Sequence, residues 1–309
     1  MSNLATQQFG RICTLVVSNQ QGQGIDLSNL RIVFNVKRSG VMAPNAATIR
    51  VYNLDLVTAN LLRKEFTQVV LQAGYAGNYG VIFKGNIRQF IIGRESATDT
   101  FINIIAGDGD QAYAFATVNS TLAAGSSQTN HLDTALTAMQ GQGVGQNYVG
   151  QLPANQLPRG KVMYGKAVDH IQRIAQSSGF SWSIQNQQVN MVKLSTYLPG
   201  TAVVLSSKTG MIGTPRQTIA GIDFQCLLNP KLKIHGLVQV DNASVAQFQI
   251  NPLVPGSAAN TPVPLTYDGV YYIYVIEYDG DTRGVPWYCN LVTLATSISA
   301  NPLEAVGSL

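Results

Sequence analysis

The residues that could do chemistry are few, and their spacing argues against most reactions. Gly160-Lys-Val-Met-Tyr-Gly165-Lys166-Ala167 matches the GxxxxGK of a phosphate loop. Ala167, however, stands where a Ser or Thr must hold Mg²⁺, and the preceding QLPANQLPR cannot be the buried strand that such a loop follows. The segment therefore reads as a loop entering a helix. Gly141-Gln-Gly143-Val-Gly145 lacks the third glycine of a dinucleotide turn at the right spacing, and no strand is read before it. GxSxG and HExxH are both absent. His131, His170 and His235 fall in separate segments and read, in turn, as an exposed residue at a helix start, a partly buried hydrogen-bonding residue and a turn residue. The alternating acids Asp108-Gly-Asp110 and Glu277-Tyr-Asp279-Gly-Asp281 do not extend into a twelve-residue Ca²⁺ loop, and turn and helix-cap roles account for them. Glu65, Glu95, Glu277 and Glu304 are scattered and make no glycosidase pair. Lys231 and Lys233 read as a solvated pair. The expectation is a protein with no catalytic residues, no cofactor and no metal, hence not an enzyme.

Composition points to contacts with protein instead. Charged residues are 12% of the 309, against about 25% in an average soluble domain, and Asn and Gln together outnumber them. A net charge of +4 is too small and too dispersed for a nucleic-acid surface. Cys13, Cys226 and Cys289 are an odd, widely spaced set, as expected of structural thiols in a reducing compartment. The N-terminal MSNLATQQFGR has neither the basic nor the apolar region of a secretory leader. The apolar run Val270 to Ile276 is far short of the roughly 20 residues of a membrane helix. The expectation is a soluble chain made in a cytosol. In the strand Val270 to Tyr278, alternation puts Tyr271 and Ile273 on one face and Tyr272, Tyr274, Ile276 and Tyr278 on the other. An apolar strand of this kind is expected to be covered on one side by its own core and on the other by a neighbouring subunit. Tyr272, Tyr274, Tyr278 and Trp287 are thus candidate interface residues, and Tyr274→Asp is expected to break oligomers while sparing the monomer.

The elements that position these residues fall into three parts. Residues 1–117 read as a β-rich domain: strands at Arg11 to Ser18, Leu30 to Val36 and Thr48 to Tyr52, a helix at Leu56 to Phe66 capped by Asp55, then a meander turning at Gly85-Asn86 and at Gly93 to Asp99. Residues 118–200 read as a small α/β domain, with helices over His131 to Met139 and Lys166 to Ser177 and a hairpin around Gln185 to Gln188. A helix is also predicted over Asp110 to Val118, and the Gly- and Pro-rich 141–160 as loop. Residues 201–309 return to strands, among them Val270 to Tyr278 and Trp287 to Ala295 joined by the tip DGDTRG, with a long exposed loop over Asn251 to Pro264. The fold class is a β-rich α+β chain: two antiparallel β-barrel-like tube domains separated by a small α/β domain.

Several segments carry more than composition. Ile49 to Leu54 (IRVYNL), a short helix, Val70-Leu-Gln-Ala-Gly74-Tyr75 and Ile82-Phe83-Lys-Gly85-Asn-Ile87 follow one another. Further on come Ile105-Ala-Gly-Asp108-Gly-Asp110-Gln-Ala-Tyr113, Val118 to Gly125, Thr209-Gly210-Met-Ile-Gly-Thr-Pro215 and Cys226-Leu-Leu-Asn-Pro230. In this order and spacing, from about Ile49 to Asp241, the chain resembles the baseplate hub proteins of contractile-tailed bacteriophages. Tyr52, Asn53, Gly74, Tyr75, Phe83, Gly85, Asp108, Asp110, Gly210, Pro215 and Pro230 are the motif residues, read as structural. The resemblance implies a homotrimeric structural hub in the virion, assembled in the host bacterial cytoplasm with no membrane. Two tube domains per subunit would present a pseudo-sixfold ring to the tail tube or tube-initiator protein. The other face would hold the trimeric central spike, other baseplate proteins would surround the ring, and viral DNA would be passing cargo. The alternatives are a tail spike or carbohydrate-binding module stacking sugars on exposed Tyr and on Trp182 and Trp287, and a cell-wall hydrolase, for which no catalytic cluster is seen.

Overall fold

The computed structural model describes residues 9–19, 21–194, 196–218, 221–246, 265–266 and 269–296; the loop expected over Asn251 to Pro264 lies outside them. The first part runs β1 (Arg11–Ser18), β2 (Gly24–Asp26), β3 (Ile32–Ser39), β4 (Ala46–Tyr52), α1 (Leu56–Glu65), β5 (Gln68–Tyr75), β6 (Asn78–Arg94) and β7 (Thr100–Gly107). The middle part is α2 (Asp110–Phe115), β8 (Thr117–Leu122), α3 (Gln128–Gln140), β9 (Gly145–Val149), β10 (Lys161–Lys166), α4 (Ala167–Ser178), β11 (Phe180–Ile184) and β12 (Gln188–Lys193). The last comprises β13 (Val203–Leu205), β14 (Met211–Gln217), β15 (Gly221–Leu227), β16 (Leu237–Val240), β17 (Val270–Asp281) and β18 (Trp287–Ala295).

Local chemistry explains most boundaries. The Asp55 carboxylate caps α1 by accepting the Thr58 N–H at 2.9 Å, and Leu62 and Phe66 are buried beneath it. Leu61 stays 38% exposed because it lies off the buried stripe. Ser127 and Asn130 form a reciprocal capping box on α3. Ala167, Ile171, Ile174 and Ala175 make the buried stripe of α4, which Gly179 ends at φ 71°.

Strands dominate, and those from both ends of the chain belong to one 13-stranded sheet, ordered β14-β15-β18-β17-β3-β4-β7-β6-β5-β1-β2, with β13 and β16 attached beside β17. The junction between the two ends is the antiparallel pair β3–β17, in register from Val33 opposite Asp281 to Ser39 opposite Val275. Behind it lies one continuous core from Leu15 to Ala295, in which Phe34 of β3 meets Trp287 of β18 edge to face at 5.5 Å. The middle part has its own core, from Ala112 to Met191, so α2 packs with the α/β body that follows it. The architecture is thus β-rich α+β, with the two β modules fused along a shared edge and neither closed into a barrel of its own.

Several local expectations are corrected. Gly85-Asn86 is no turn; β6 runs straight through it, because a 17-residue strand serves two neighbours in succession, β5 up to Asn86 and β7 from there to Arg94. The phosphate-loop look-alike is a strand, β10, paired along its length with β8, which itself replaces the end of the helix predicted to Val118. β9, inside the glycine-rich stretch, is held by parallel pairing to β12, a long-range partner invisible to local periodicity. Asp279 and Gly280 are strand residues, so the β17–β18 tip is 282–286 rather than DGDTRG.

Candidate functional site

The outward face of the sheet is a wall built for contact with something other than a core. Eight strands, β14-β15-β18-β17-β3-β4-β7-β6, stand side by side, each antiparallel to the next. Alternation turns one set of side chains into the core and leaves the other on the wall. The wall set is stitched by amides. Asn35 Nδ2 donates to Glu277 Oε1 at 2.9 Å and to Asp279 Oδ1 at 2.7 Å. Asn290 Nδ2 donates to Asp279 Oδ2 at 3.1 Å, and Gln225 Nε2 to Asn290 Oδ1 at 2.8 Å. Burial, with Glu277 adding to it, pushes the Asp279 carboxyl above its usual range, and burial does the same to Asp223. Lys37, Arg50 and Arg216 on this face balance Asp223, Glu277 and Asp279, leaving a polar surface of little net charge.

The wall has two rims. The β6–β7 tip (95–99) and the β17–β18 tip (282–286) lie on the same rim, called upper here, because β6 reaches Arg94 and β17 reaches Asp281 running in the same direction. Between them is a pocket of about 400 Å³ lined by Leu30, Arg31, Tyr52, Asn53, Glu95, Asp99 and Arg283. The Arg31 guanidinium sits 4.7 Å over the Tyr52 ring and pairs with Asp281 at 2.7 Å. Asn53, at φ 55°, accepts the Thr100 N–H at 3.0 Å and donates to Asp99 at 3.2 Å.

The lower rim carries the α/β body, fastened by a buried polar knot. Asn186 and Gln187, at φ 56° and 61°, turn two successive N–H groups onto the Asp108 carboxylate, each at 2.6 Å. Asn45 Nδ2 reaches the Ile184 carbonyl at 2.7 Å and Gln185 Oε1 at 3.0 Å, and Arg38 Nε donates to Gln185 Oε1 at 3.1 Å. Burial raises the Asp108 carboxyl's pKa although these donors and Arg38 oppose it. Asp108 was expected to cap a helix; it caps a turn of the other body instead, and Gly109 precedes α2 without a side-chain cap. Asp110 pairs with Arg88, whose Nη2 donates to Oδ1 at 2.6 Å.

The other motif residues are spread through the scaffold. A side chain at Gly74 would strike the Asn78 carbonyl in the β5–β6 turn, where Tyr75 is buried. One at Gly85 would lie 2.5 Å from the Gly107 carbonyl, and Phe83 is wholly inside. The Gly210 carbonyl accepts the Leu227 N–H at 2.8 Å. Pro215 lies on β14, an edge strand, where a missing N–H costs no ladder bond. Pro230 packs against Gly80.

The four candidate interface residues are inside the single chain: Tyr272 is 5% exposed, Tyr274 2%, Tyr278 0% and Trp287 1%. A register shift between Ile273 and Val275 reverses the alternation beyond it and turns Tyr278 into the main core. Tyr271, Ile273, Ile276 and Tyr278 all enter the main core, while Tyr272 and Tyr274 are covered by Val41, Leu237, Val292, Leu294 and His235 of the same chain. Trp182 is 2% exposed, so neither tryptophan offers a face to a sugar. His131, expected exposed, is 4% exposed. It lies 3.2 Å from Lys161 Nζ through Nδ1 and 3.4 Å from His170 Nδ1 through Nε2, and His170 Nε2 is 3.3 Å from the Tyr164 carbonyl. Among the described residues no group of His, Cys, Asp and Glu is placed to hold a metal ion, and no helix is long and apolar enough to cross a membrane.

This architecture is shared with solved tail proteins. The 43 kDa tail protein of prophage MuSo2 from Shewanella oneidensis is similar at a TM-score of 0.59 and 9% identity, over 93% of this chain and 97% of that one. A tail protein from Neisseria meningitidis MC58 is similar at 0.58 and 9%, over the same 93% and 97%. The E. coli c3393 protein, a type VI secretion component described as structurally similar to the T4 tail proteins gp27 and gp5, is similar at 0.53 and 10%, over 85% and 73%. At such identities the likeness is one of fold. No curated protein matches the chain by sequence. The fold is that of a tail protein, and the sequence narrows the class: over residues 13–293 it matches the baseplate hub gp41 family, to which the chain belongs. It is therefore a structural protein of the bacteriophage tail baseplate.

Proposed function

We propose that three copies form a closed ring joining the hexameric tail tube to the trimeric central spike, that the wall lines its channel, and that the chain performs no catalysis of its own. The partners are the tube or tube-initiator protein, the spike and neighbouring baseplate proteins; assembly takes place in the host cytoplasm, and DNA passes through.

One observation carries this reading: the wall is an internal duplication. Numbered in sequence order, the four wall strands of the first module (β3, β4, β6, β7) stand in the order first, second, fourth, third, and so do those of the last (β14, β15, β17, β18). Within the chain, the third strand of one module (β17) pairs with the first of the other (β3). The same rule leaves β6 beyond Ile87, and β14, as the two ends of the wall. Among the described residues neither has a strand on its outer side, apart from a bridge between Arg216 and Ala246. Eight alternating strands make these ends run in opposite directions, so β14 of one copy would add antiparallel to β6 of the next. Head-to-tail addition of this kind closes a ring of three when each copy is rotated by a third of a turn from the last. Three copies would then present six similar modules. A wall of balanced charge neither grips nor repels a polyanion, as a channel for DNA requires.

The test is a set of cysteine pairs on the wall face of the two ends, at Gln89 or Ile91 of β6 and at Ile212 or Thr214 of β14. Mild oxidation of one register-matched double variant is expected to give covalent dimers and trimers, up to about three times 33.2 kDa, with neither single variant doing so. A chain that assembles with its tube and spike yet never cross-links through these ends would overturn the proposal.

A further inference from the structure

Within the ring proposed above, on which the choice of partner rests, we infer that the free edge of β8 takes up an extended segment of a neighbouring baseplate protein. That segment would add to the β8–β10 pair as a third strand. β8 and β10 pair antiparallel from Thr117 opposite Lys166 to Leu122 opposite Lys161. Next along the ladder, the Ala167 N–H donates to the Ala116 carbonyl at 2.9 Å, so that pair is a hydrogen-bonded one. Bonded pairs alternate with open ones, and the backbone N–H and C=O groups of Thr117, Asn119 and Thr121 therefore point away from β10. Among the described residues these groups have no hydrogen-bond partner. The far side of β10 differs: there the Tyr164 carbonyl lies 3.3 Å from His170 Nε2 of α4.

An open edge pairs with any extended chain, and proteins that must avoid this guard it with Lys, Pro, a bulge or an inward charge. β8 reads TVNSTL, with no charge and no Pro, and its register with β10 is unbroken. The face beside the edge is unguarded too. Val162 and Tyr164, opposite Thr121 and Asn119, are 72% and 78% exposed. On the other face Val118 and Met163 are buried in the α/β core, so the edge is held in place before anything binds. Lys166, opposite Thr117, is the one charge on the exposed face. The chemistry that fits is about six residues of uncharged, alternating β-branched or aromatic sequence, with an acid at the end that meets Lys166. A second copy does not fit. β8 added to β8 makes a two-fold contact, and a ring of three contains no two-fold axis.

Amide hydrogen exchange, resolved to single residues, is compared between the isolated full chain and purified phage tails that contain it. Thr117, Asn119 and Thr121 are expected to exchange at least about tenfold more slowly in the tail. Val118, Ser120 and Leu122, bonded to β10 already, are expected to be slow in both. Asn119→Pro removes the central N–H without touching the ladder to β10, so the isolated variant is expected to melt as the parent does. Its tails are expected to lose the added protection at Thr117 and Thr121, whereas Asn119→Gln keeps it. Equal exchange in chain and tail would overturn the assignment. So would protection that survives Asn119→Pro, the mark of a partner lying on the face without strand pairing. Protection that appears in the isolated chain as its concentration rises would make the occupant a second copy, and overturns it too. Should the proline variant fail to fold, the comparison of parent chain and parent tail decides alone. The β6–β14 cross-links report the ring independently. Cross-links without protection refute the β8 assignment alone, and protection without cross-links refutes the ring alone.

Discussion

His131 is held neutral by its surroundings. Lys161 needs its Nδ1 as an acceptor, and the Nε2 proton satisfies His170, so a further proton has no site that does not break a bond. The charged groups facing it, Lys161 from β10 and Arg173 from α4, are both positive, and β8 brings none. Burial first, then Lys161, lowers the pKa from 6.5 to about 4. The folded value lies below the unfolded one, so the unfolded chain binds the extra proton over this interval. Stability is complete above pH 6.5 and is lost as pH falls towards 4, by about 3 kcal/mol. Chemical denaturation from pH 7 to pH 4 is expected to show a slope to which His235, lowered to about 4 by its own burial, also contributes. His131→Gln, whose amide can both accept and donate, is expected to reduce it rather than abolish it.

At the scale of the element, β17 shows why alternation alone misassigned a strand. The residue types that build it were legible, and so were its start and its partner β18, read as Trp287 to Ala295. The register shift between Ile273 and Val275 was not, because a bulge answers to what lies across the sheet. Its consequence is a reversed prediction. Tyr274→Asp would bury a carboxylate against His235, Tyr272 and Leu237, so it is expected to unfold or aggregate the monomer rather than release intact monomers from oligomers. A loss of several kcal/mol in urea titrations of the isolated chain is the expected reading; an unchanged midpoint would return Tyr274 to the interface. The polar turn Gln185 to Gln188 carries the opposite lesson. It was legible as a turn, but not as the partner of Asp108, since the left-handed conformation of Asn186 and Gln187 leaves no trace in spacing.

The whole molecule has two cores of different kinds. The larger one is shared by both ends of the chain across β3–β17, so the modules should unfold together; the smaller is complete within the α/β body. Calorimetry of the full chain is expected to show two transitions. Asp108→Asn, which replaces the acceptor of two backbone N–H groups, should lower the α/β transition by about 1–3 kcal/mol and leave the wall unchanged. A single transition shifted as a unit would mean that the knot fuses the bodies. The low charge of the sequence belongs to this scale too: the wall is stitched by Asn and Gln amides where a free-standing surface carries Lys and Glu.

By itself, the sequence determined the class of the fold, the helices α1, α3 and α4 with the Asp55 cap, the β-α/β-β order of the chain and, through ordered short motifs, membership of the baseplate hub family. These follow from periodicity, capping and local backbone preference, which act over a few residues and are written in residue types. Tertiary structure alone decided that the two ends share one sheet, that the tyrosine strand is swallowed whole, that Asp108 ties the α/β body to the wall, and which strands stand at the ends of the wall among the described residues. Each of those depends on pairing between residues far apart in the chain. Such pairing is a choice among registers whose local sequences are equally satisfied, and only the packing of the complete core selects one.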